Sequence, residues 1–331
     1  MNIFILFNIY YNTMNIKYKI DINKYFNNDI CNKIFDLIDD ESQIGKGYWG
    51  NIYKIKIKCN LFSVKKQNMS IIRSNLNRVD VSSEVEVIKK LSQFKENNNV
   101  HFFPYYYHDV ICNNNHLLFY QNYKDNINIL FGSWTPELFK SIIYQCIYAI
   151  HLFQSITGFS HNDIHIGNFL LEKIDKPEIQ YGKYNIKYYG YGIVLWDYGT
   201  ARKINEKEHD IGMMKQMFKM YQKQEIYDRC DHNKILEFVN KYTFMKIYLD
   251  EQFIVHENKW DHIKNAKARK NFITASTIKS VIYEIIDADL LLTFIKFYKN
   301  ESLIDIYIDP ALLLWLSKLP NTVSECLNLL Q

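Results

Sequence analysis

The stretch FSHNDIHIGNFLL, residues 159–171, decides how this chain is read. A polar cluster holding His161, Asp163, His165 and Asn168 sits between an apolar, helix-like run and the apolar Phe169-Leu170-Leu171. Asp163 and Asn168 lie five residues apart, a spacing that a short loop converts into convergent side chains. Further on, Ile193-Val194-Leu195-Trp196-Asp197-Tyr198-Gly199 reads as a strand ending in an acid before a glycine turn. Asp197 and Asn168 together offer hard oxygen ligands, which suit Mg²⁺ better than zinc. Asp163 is then free to act as a general base. Two other readings use the same residues. One is a metal site built from His161, Asp163 and His165, whose next histidines, His151 and His209, lie in other elements. The other is a polar loop with satisfied histidines.

Upstream, Gly45-Lys46-Gly47-Tyr48-Trp49-Gly50 matches G-x-G-x-x-G. A dinucleotide-binding fingerprint needs a helix after the glycines, and a P-loop needs a terminal Gly-Lys-Ser/Thr. Here a strand follows, with near-strict alternation over residues 52–58 and an antiparallel partner at Leu61–Lys65. That order fits a glycine loop capping a hairpin, where backbone amides can approach phosphate oxygens. A tight hairpin turn with an aromatic tip is the plainer alternative. Lys65 ends the second strand, and alternation sends Lys65 and Lys66 to opposite faces. A helix is expected over 81–91, with Val81, Glu84, Val87, Ile88 and Leu91 on one stripe. Glu84 borders that buried stripe and is the carboxylate expected to hold Lys65. Glu86, with Lys89 and Lys90 at i+3 and i+4, reads as solvated.

Composition sets the frame. Of the 331 residues 48% are hydrophobic and 23% charged, so the chain can bury a sizeable core and is not disordered as a whole. A net charge of +4 is too weak a bias to indicate nucleic-acid binding. The cysteines, Cys31, Cys59, Cys112, Cys146, Cys230 and Cys326, form no C-x-x-C pair, and reduced thiols in a reducing, intracellular compartment are the simplest expectation. The apolar start MNIFILFNIYY is too short to span a bilayer and lacks a basic flank. Met14 is an alternative start, which would leave residues 1–13 untranslated.

Aromatic strands are expected at Phe102–Val110 and His116–Tyr123 around Asn113-Asn114-Asn115. Thr135-Pro136-Glu137 marks a helix start, with capping hydroxyl, proline and acid in order. Past residue 205 the chain reads as mostly helical, with Leu312–Leu316 as core. No internal repeats are present.

In this order the segments resemble the eukaryotic-type protein kinase superfamily. The glycine loop with Ile52 resembles the nucleotide-covering loop, and Phe62-Ser63-Val64-Lys65 resembles V-A-I-K with Glu84 as the helix glutamate. His161-Asn162-Asp163 with Asn168 resembles the H-R-D-x-x-x-x-N loop, and Asp197-Tyr198-Gly199 resembles D-F-G. His-x-Asp-x-His-x-Gly-Asn with Asp-Tyr looks like haspin and like the serine/threonine kinases of large DNA viruses. The match is strong over residues 45–199 and loose beyond.

The resemblance implies an α+β, bilobal fold. Residues 1–40 would be an N-terminal extension, 41–123 a small antiparallel-sheet N-lobe with one helix, and 124–331 a larger, mostly helical C-lobe. It implies ATP between the lobes, covered by Ile44, Gly45, Lys46, Gly47, Tyr48, Trp49, Gly50 and Ile52. Adenine would lie by the Tyr120–Tyr123 connector near Gln121. Lys65, held by Glu84, would orient the phosphates, Asn168 and Asp197 would hold Mg²⁺, and Asp163 would be the base. The acceptor implied is a protein serine or threonine hydroxyl. No nucleic acid or membrane partner is expected, and a monomer in the host cytoplasm or virion if the chain is viral.

The departures matter as well. Asn162 replaces an arginine that pairs with phosphorylated activation loops, and His165 replaces a lysine aimed at the γ-phosphate. No A-P-E follows. If Asp210 is the buried aspartate of the next helix, it lies only 13 residues after Asp197, so the activation segment is very short. A small-molecule kinase of the aminoglycoside or choline type and a non-catalytic pseudokinase scaffold are the rival readings.

Overall fold

Alternation over residues 51–68 becomes a pair of long strands in the computed structural model of the chain. The structure describes residues 22–26, 29–46, 50–70, 81–130, 135–181, 184–203, 209–229, 255–257, 259, 263–284, 315–316, 318–320 and 322–328. Strands β1 (Gln43–Lys46), β2 (Asn51–Ile57), β3 (Asn60–Asn68), β4 (Tyr106–Cys112) and β5 (Asn115–Gln121) form one antiparallel sheet of order β1-β2-β3-β5-β4. The fold is mixed α+β, this sheet being joined by several helices.

The two faces of the sheet separate by the period-2 rule. Ile55, Ile57, Phe62, Val64 and Phe119 point to one face and are covered by Ile22 and Phe26 of α1 (Ile22–Phe26) and Ile30 and Ile34 of α2 (Ile30–Ile34). So Ile22, Phe26, Ile30 and Ile34, expected as part of an extension, contribute to this core. Lys66 lies on the same face, its ammonium 5.2 Å from the Phe35 ring centroid. Lys65 takes the opposite face. Gly50 is required where β2 begins, because a Cβ there would stand 2.6 Å from the Lys66 carbonyl oxygen.

The helix expected over 81–91 runs longer, as α3 (Val81–Asn98), and buries Val87, Ile88 and Leu91. The strand expected at Phe102–Val110 starts only at Tyr106. Pro104 offers no N–H to a ladder, and Phe102 and Phe103 are instead fully buried. The Phe102 carbonyl accepts from Leu195 N at 2.9 Å. Between the sheet and the next long helix lies the two-residue strand β6 (Asp125–Asn126).

Helix α4 (Pro136–Thr157) begins as its sequence dictates. Thr135 Oγ1 accepts from Leu138 N, and Gly158 closes the far end at φ 73°. A cap of this kind contributes about 1 kcal/mol, and the glycine supplies the left-handed turn without a Cβ penalty. The apolar stripe Leu138, Ile142, Cys146, Ile150 and Phe153 is buried. Against it pack β8 (Phe169–Lys173) and β11 (Tyr191–Leu195), which pair antiparallel; β6 adds to β8. The short strand β7 (Phe159–Ser160) precedes them. The 29-residue interval between Asn168 and Asp197 is filled partly by a hairpin, β9 (Glu178–Tyr181) and β10 (Tyr184–Lys187). Then come β12 (Arg202–Lys203), paired to β7, and helices α5 (His209–Arg229), α6 (Ala266–Glu284) and α7 (Val323–Asn328). Leu316 is buried; Leu312–Leu314 lie outside the described residues.

The cysteine expectation is corrected. Cys31 of α2 and Cys112 at the end of β4 form a disulfide across 81 residues of sequence. Packing of α2 against the sheet edge brings the two together, which no sequence spacing reveals. Cys59, Cys146 and Cys326 are free thiols. The cysteines therefore do not support assignment to a reducing compartment. Among the described residues no helix is long and apolar enough to cross a membrane.

Candidate functional site

Three charged groups from distant parts of the sequence meet at one point. Lys65 Nζ on β3 lies 2.7 Å from Glu84 Oε1 on α3 and 2.6 Å from Asp197 Oδ1, just after β11. Lys65 and Glu84 are buried, at 3% and 0% exposure, whereas the Asp197 side chain keeps 29%. Burial alone pushes the Lys65 ammonium down, but the Asp197 and Glu84 carboxylates outweigh it and hold the group above its ordinary value. For Asp197, burial works upward and the Lys65 ammonium overcomes it, leaving the carboxyl below its ordinary value. Glu86 takes no part; it pairs with Lys90 at 2.7 Å on an exposed face. The choice between the two acids follows from the helix stripe alone.

The loop after β7 supplies the other polar groups. Asn168 Nδ2 donates to the Asp163 carbonyl at 2.9 Å and stands 3.4 Å from Asp163 Oδ2. The Asp163 carboxyl is 39% exposed, open to an incoming molecule. His165 Nδ1 accepts from Gly167 N at 3.1 Å, so the ring proton sits on Nε2, which faces Asp163 Oδ2 at 3.7 Å. That carboxylate raises the His165 pKa against the opposing effect of burial. His161 is fully buried and uses Nε2 to donate to the Trp196 carbonyl at 3.0 Å. Burial lowers its pKa. His161 has Nε2 committed to the Trp196 carbonyl and only a buried Nδ1 left over, so the geometry does not assemble a metal site from His161, Asp163 and His165. Among the described residues no cluster of three or more His, Cys, Asp or Glu side chains could hold a metal ion.

Asp210, at the first turn of α5, anchors this loop. It is fully buried and accepts from His161 N at 2.9 Å, Asn162 N at 3.0 Å and Gln154 Nε2 at 3.0 Å. Tyr198 stacks on Phe153 at 5.4 Å and 9°, fixing the backbone after Asp197. Asn162 and Asp197 both take left-handed backbone, at φ 62° and 64°. Asparagine and aspartate tolerate that region better than most residues, and strain of this kind gathers at functional positions.

A cavity of about 500 Å³ opens beside these groups. Ile44, Gly45 and Ile52 line one side, Ser63 and Gln121 another, and Trp196 another. Its size suits a small-molecule ligand. Tyr120 and Trp196 meet edge-to-face at 4.9 Å. Lys65 and Asp197 do not line it, but Ser63, on the same strand face as Lys65, and Trp196, next to Asp197, do. Lys46 lies in β1 and Gly50 just before β2; Gly47, Tyr48 and Trp49 lie outside the described residues. A second cavity of about 310 Å³ is lined by Ile164, His165, Ile166 and the α5 residues Met213, Met217 and Met220, close in sequence to Asp163.

The sequence reading missed Lys95. From α3 its ammonium reaches Gln121 Oε1 at 3.2 Å and Tyr123 OH at 3.3 Å, and lies 4.2 Å from the Tyr105 ring centroid. Burial lowers it to about 8, with Glu172 pulling the other way. Between about 8 and the ordinary 10.5 the unfolded chain binds more protons than the folded one, so stability rises with pH through that window. Lys95→Met is expected to lack that rise, amounting to about 2–3 kcal/mol. Urea unfolding of both chains at pH 7.5 and 10 checks this; an equal pH response would show the ammonium to be solvated.

No protein-family model matches the chain, and no curated protein matches it.

Proposed function

We propose that this chain is an ATP-dependent phosphotransferase of bilobal, kinase-like architecture, moving the γ-phosphoryl of Mg-ATP to a serine or threonine hydroxyl of a protein. The observation that carries the reading is the Lys65 ammonium held between Glu84 and Asp197, with Asp163 and Asn168 sharing the adjoining loop. A lysine so fixed is suited to phosphate oxygens, and the neighbouring 500 Å³ cavity suits a purine nucleotide. The donor set fits a hard cation. Asp197 brings a carboxylate, and Asn168 spends its amide nitrogen on the loop, leaving its amide oxygen to offer. Asn168 and Asp197 would hold Mg²⁺, which would supply charge neutralisation for the transferring group.

Asp163 takes the proton of the acceptor hydroxyl as that oxygen bonds to the γ-phosphorus and the bond to the ADP oxygen breaks. Lys65 holds the non-transferring phosphates. His165, with its proton on the nitrogen facing Asp163, keeps that carboxylate oriented.

A second reading, transfer to a small amino-alcohol or aminoglycoside, is favoured by the 13 residues separating Asp197 from Asp210, which leave little chain to form a protein-substrate groove. Labelled ATP with Mg²⁺, offered to basic and acidic proteins and then to an amino-alcohol panel, separates the two. Label on protein serine or threonine supports the first, and label on small molecules alone supports the second. ATP binding without transfer to anything overturns both in favour of a scaffold.

A further inference from the structure

Gln67 and His116 each hold a buried polar atom that the site as described does not use. Gln67 follows Lys65 by two residues on β3, so both side chains leave the same face. It is fully buried, and its Nε2 donates to Glu84 Oε2 at 2.9 Å, while Lys65 takes Oε1. Two residues of one strand thus hold the two oxygens of one carboxylate. This fixes the Gln67 amide: turned over, its own oxygen would meet the carboxylate. Gln67 Oε1 therefore points away from Glu84, buried and with no hydrogen-bond partner.

Directly opposite Gln67 across the β3–β5 ladder is His116, whose Nδ1 is likewise buried without a partner. Paired residues of this kind have Cβ atoms about 4.5–5.5 Å apart on a shared face. His116 Nε2 lies 3.0 Å from Asp109 Oδ2. An ionised carboxylate only accepts, so that nitrogen carries the proton. Asp109 also accepts from the Tyr106 hydroxyl and from Lys89 Nζ at 3.2 Å. The His116 hydrogen bond, with those from Tyr106 and Lys89, holds its carboxyl well below the usual range despite partial burial.

We propose that Gln67 is a positioning residue for Glu84 and that His116 and Asp109 steady it from the far side. The chain Asp109, His116, Gln67, Glu84, Lys65 crosses the sheet and sets the plane of the Glu84 carboxylate against the ammonium. Gln67 Oε1 and His116 Nδ1 are thus two buried acceptors on paired residues with no donor of their own, an arrangement that one buried water bridges. The consequence for turnover rests on the phosphotransfer reading; the coupling itself does not.

The test is Gln67→Met, close in volume but unable to donate. The expected result is a tenfold fall in kcat/KM for Mg-ATP with KM for the acceptor unchanged. His116→Phe, at the other end of the chain, is expected to give a threefold fall in the same parameter, and serves if Gln67→Met does not fold. Equal losses toward nucleotide and acceptor would mark a merely structural role and overturn the proposal. A nucleotide-free arm measures urea unfolding for Gln67→Met, Glu84→Gln and the double variant. Coupling of about tenfold in the unfolding constant supports the chain, and additivity within twofold overturns it. Coupling without phosphoryl transfer by the unaltered protein would sink the phosphotransfer reading and leave the positioning role standing.

Discussion

Lys65→Met is expected to cost the fold about 3–5 kcal/mol, the range found when one partner of a buried ion pair is removed. The loss comes from what remains. Glu84 is fully buried and would keep only the Gln67 amide, and Asp197 would lose its nearest cation. In the unaltered protein Lys65 is raised and Asp197 lowered. The lysine contribution is complete below its unfolded value of 10.5 and lost as pH rises through its folded value. The aspartate contribution is complete above its unfolded value of 3.8 and lost as pH falls through its folded value. Between those limits the deficit of the variant is therefore at its maximum, and it shrinks in acid, where the stranded carboxylates take up protons. Urea unfolding of both chains from about pH 2.5 to 9 reads this directly. A deficit under 1 kcal/mol at pH 7 would mean that water reaches the triad.

Asp163→Asn is expected to act on chemistry and leave the fold alone. General-base catalysis contributes about 10²–10⁴ in rate, and phosphoryl transfer should fall by that factor. Asparagine keeps the shape of the side chain and cannot accept the acceptor's proton. Among the described residues the exposed carboxyl makes only the 3.4 Å approach of Asn168 and the 3.7 Å approach of His165, so the melting temperature should shift by no more than a degree or two. Mg-ATP affinity should be unchanged. A variant that transfers phosphoryl at the original rate would remove Asp163 from the reaction and send the search for a base elsewhere. The pairing of a stable, inactive Asp163→Asn with an unstable Lys65→Met separates a residue that reacts from one that also holds the protein together.

These two residues show why parts of the site could be read from sequence. Strand alternation placed Lys65 and Lys66 on opposite faces, and the helix stripe separated Glu84 from Glu86. Both arguments use only the local period. Asp210 was reachable only through the resemblance, which implies a buried aspartate at the start of the next large helix. Gln67 obeys the same alternation as Lys65 and could have been found: an amide on a buried strand face needs a partner. Lys95 could have been found too, once the helix was carried past residue 91: it lies four residues after Leu91 and seven after Ile88 on the same stripe, while Lys89 and Lys90 lie off it. Its burial depends on how the α3 terminus meets the segment after β5. The Cys31–Cys112 bond and the late start of β4 were invisible, because each is decided by a contact between remote segments. The bilobal arrangement itself rested on motif order, and what the described residues establish is the five-stranded sheet with its helices.

The placement of Asp210 has a bearing on control. A loop locked by phosphorylation needs an added negative charge, which one modifying enzyme supplies and another removes. Here a carboxylate built into the chain grips two successive backbone amides at 2.9 and 3.0 Å. It arrives with translation and is not removed by a phosphatase. On the phosphotransfer reading proposed above, a loop held this way needs no added charge, so output would follow how much protein is made and how long it lasts.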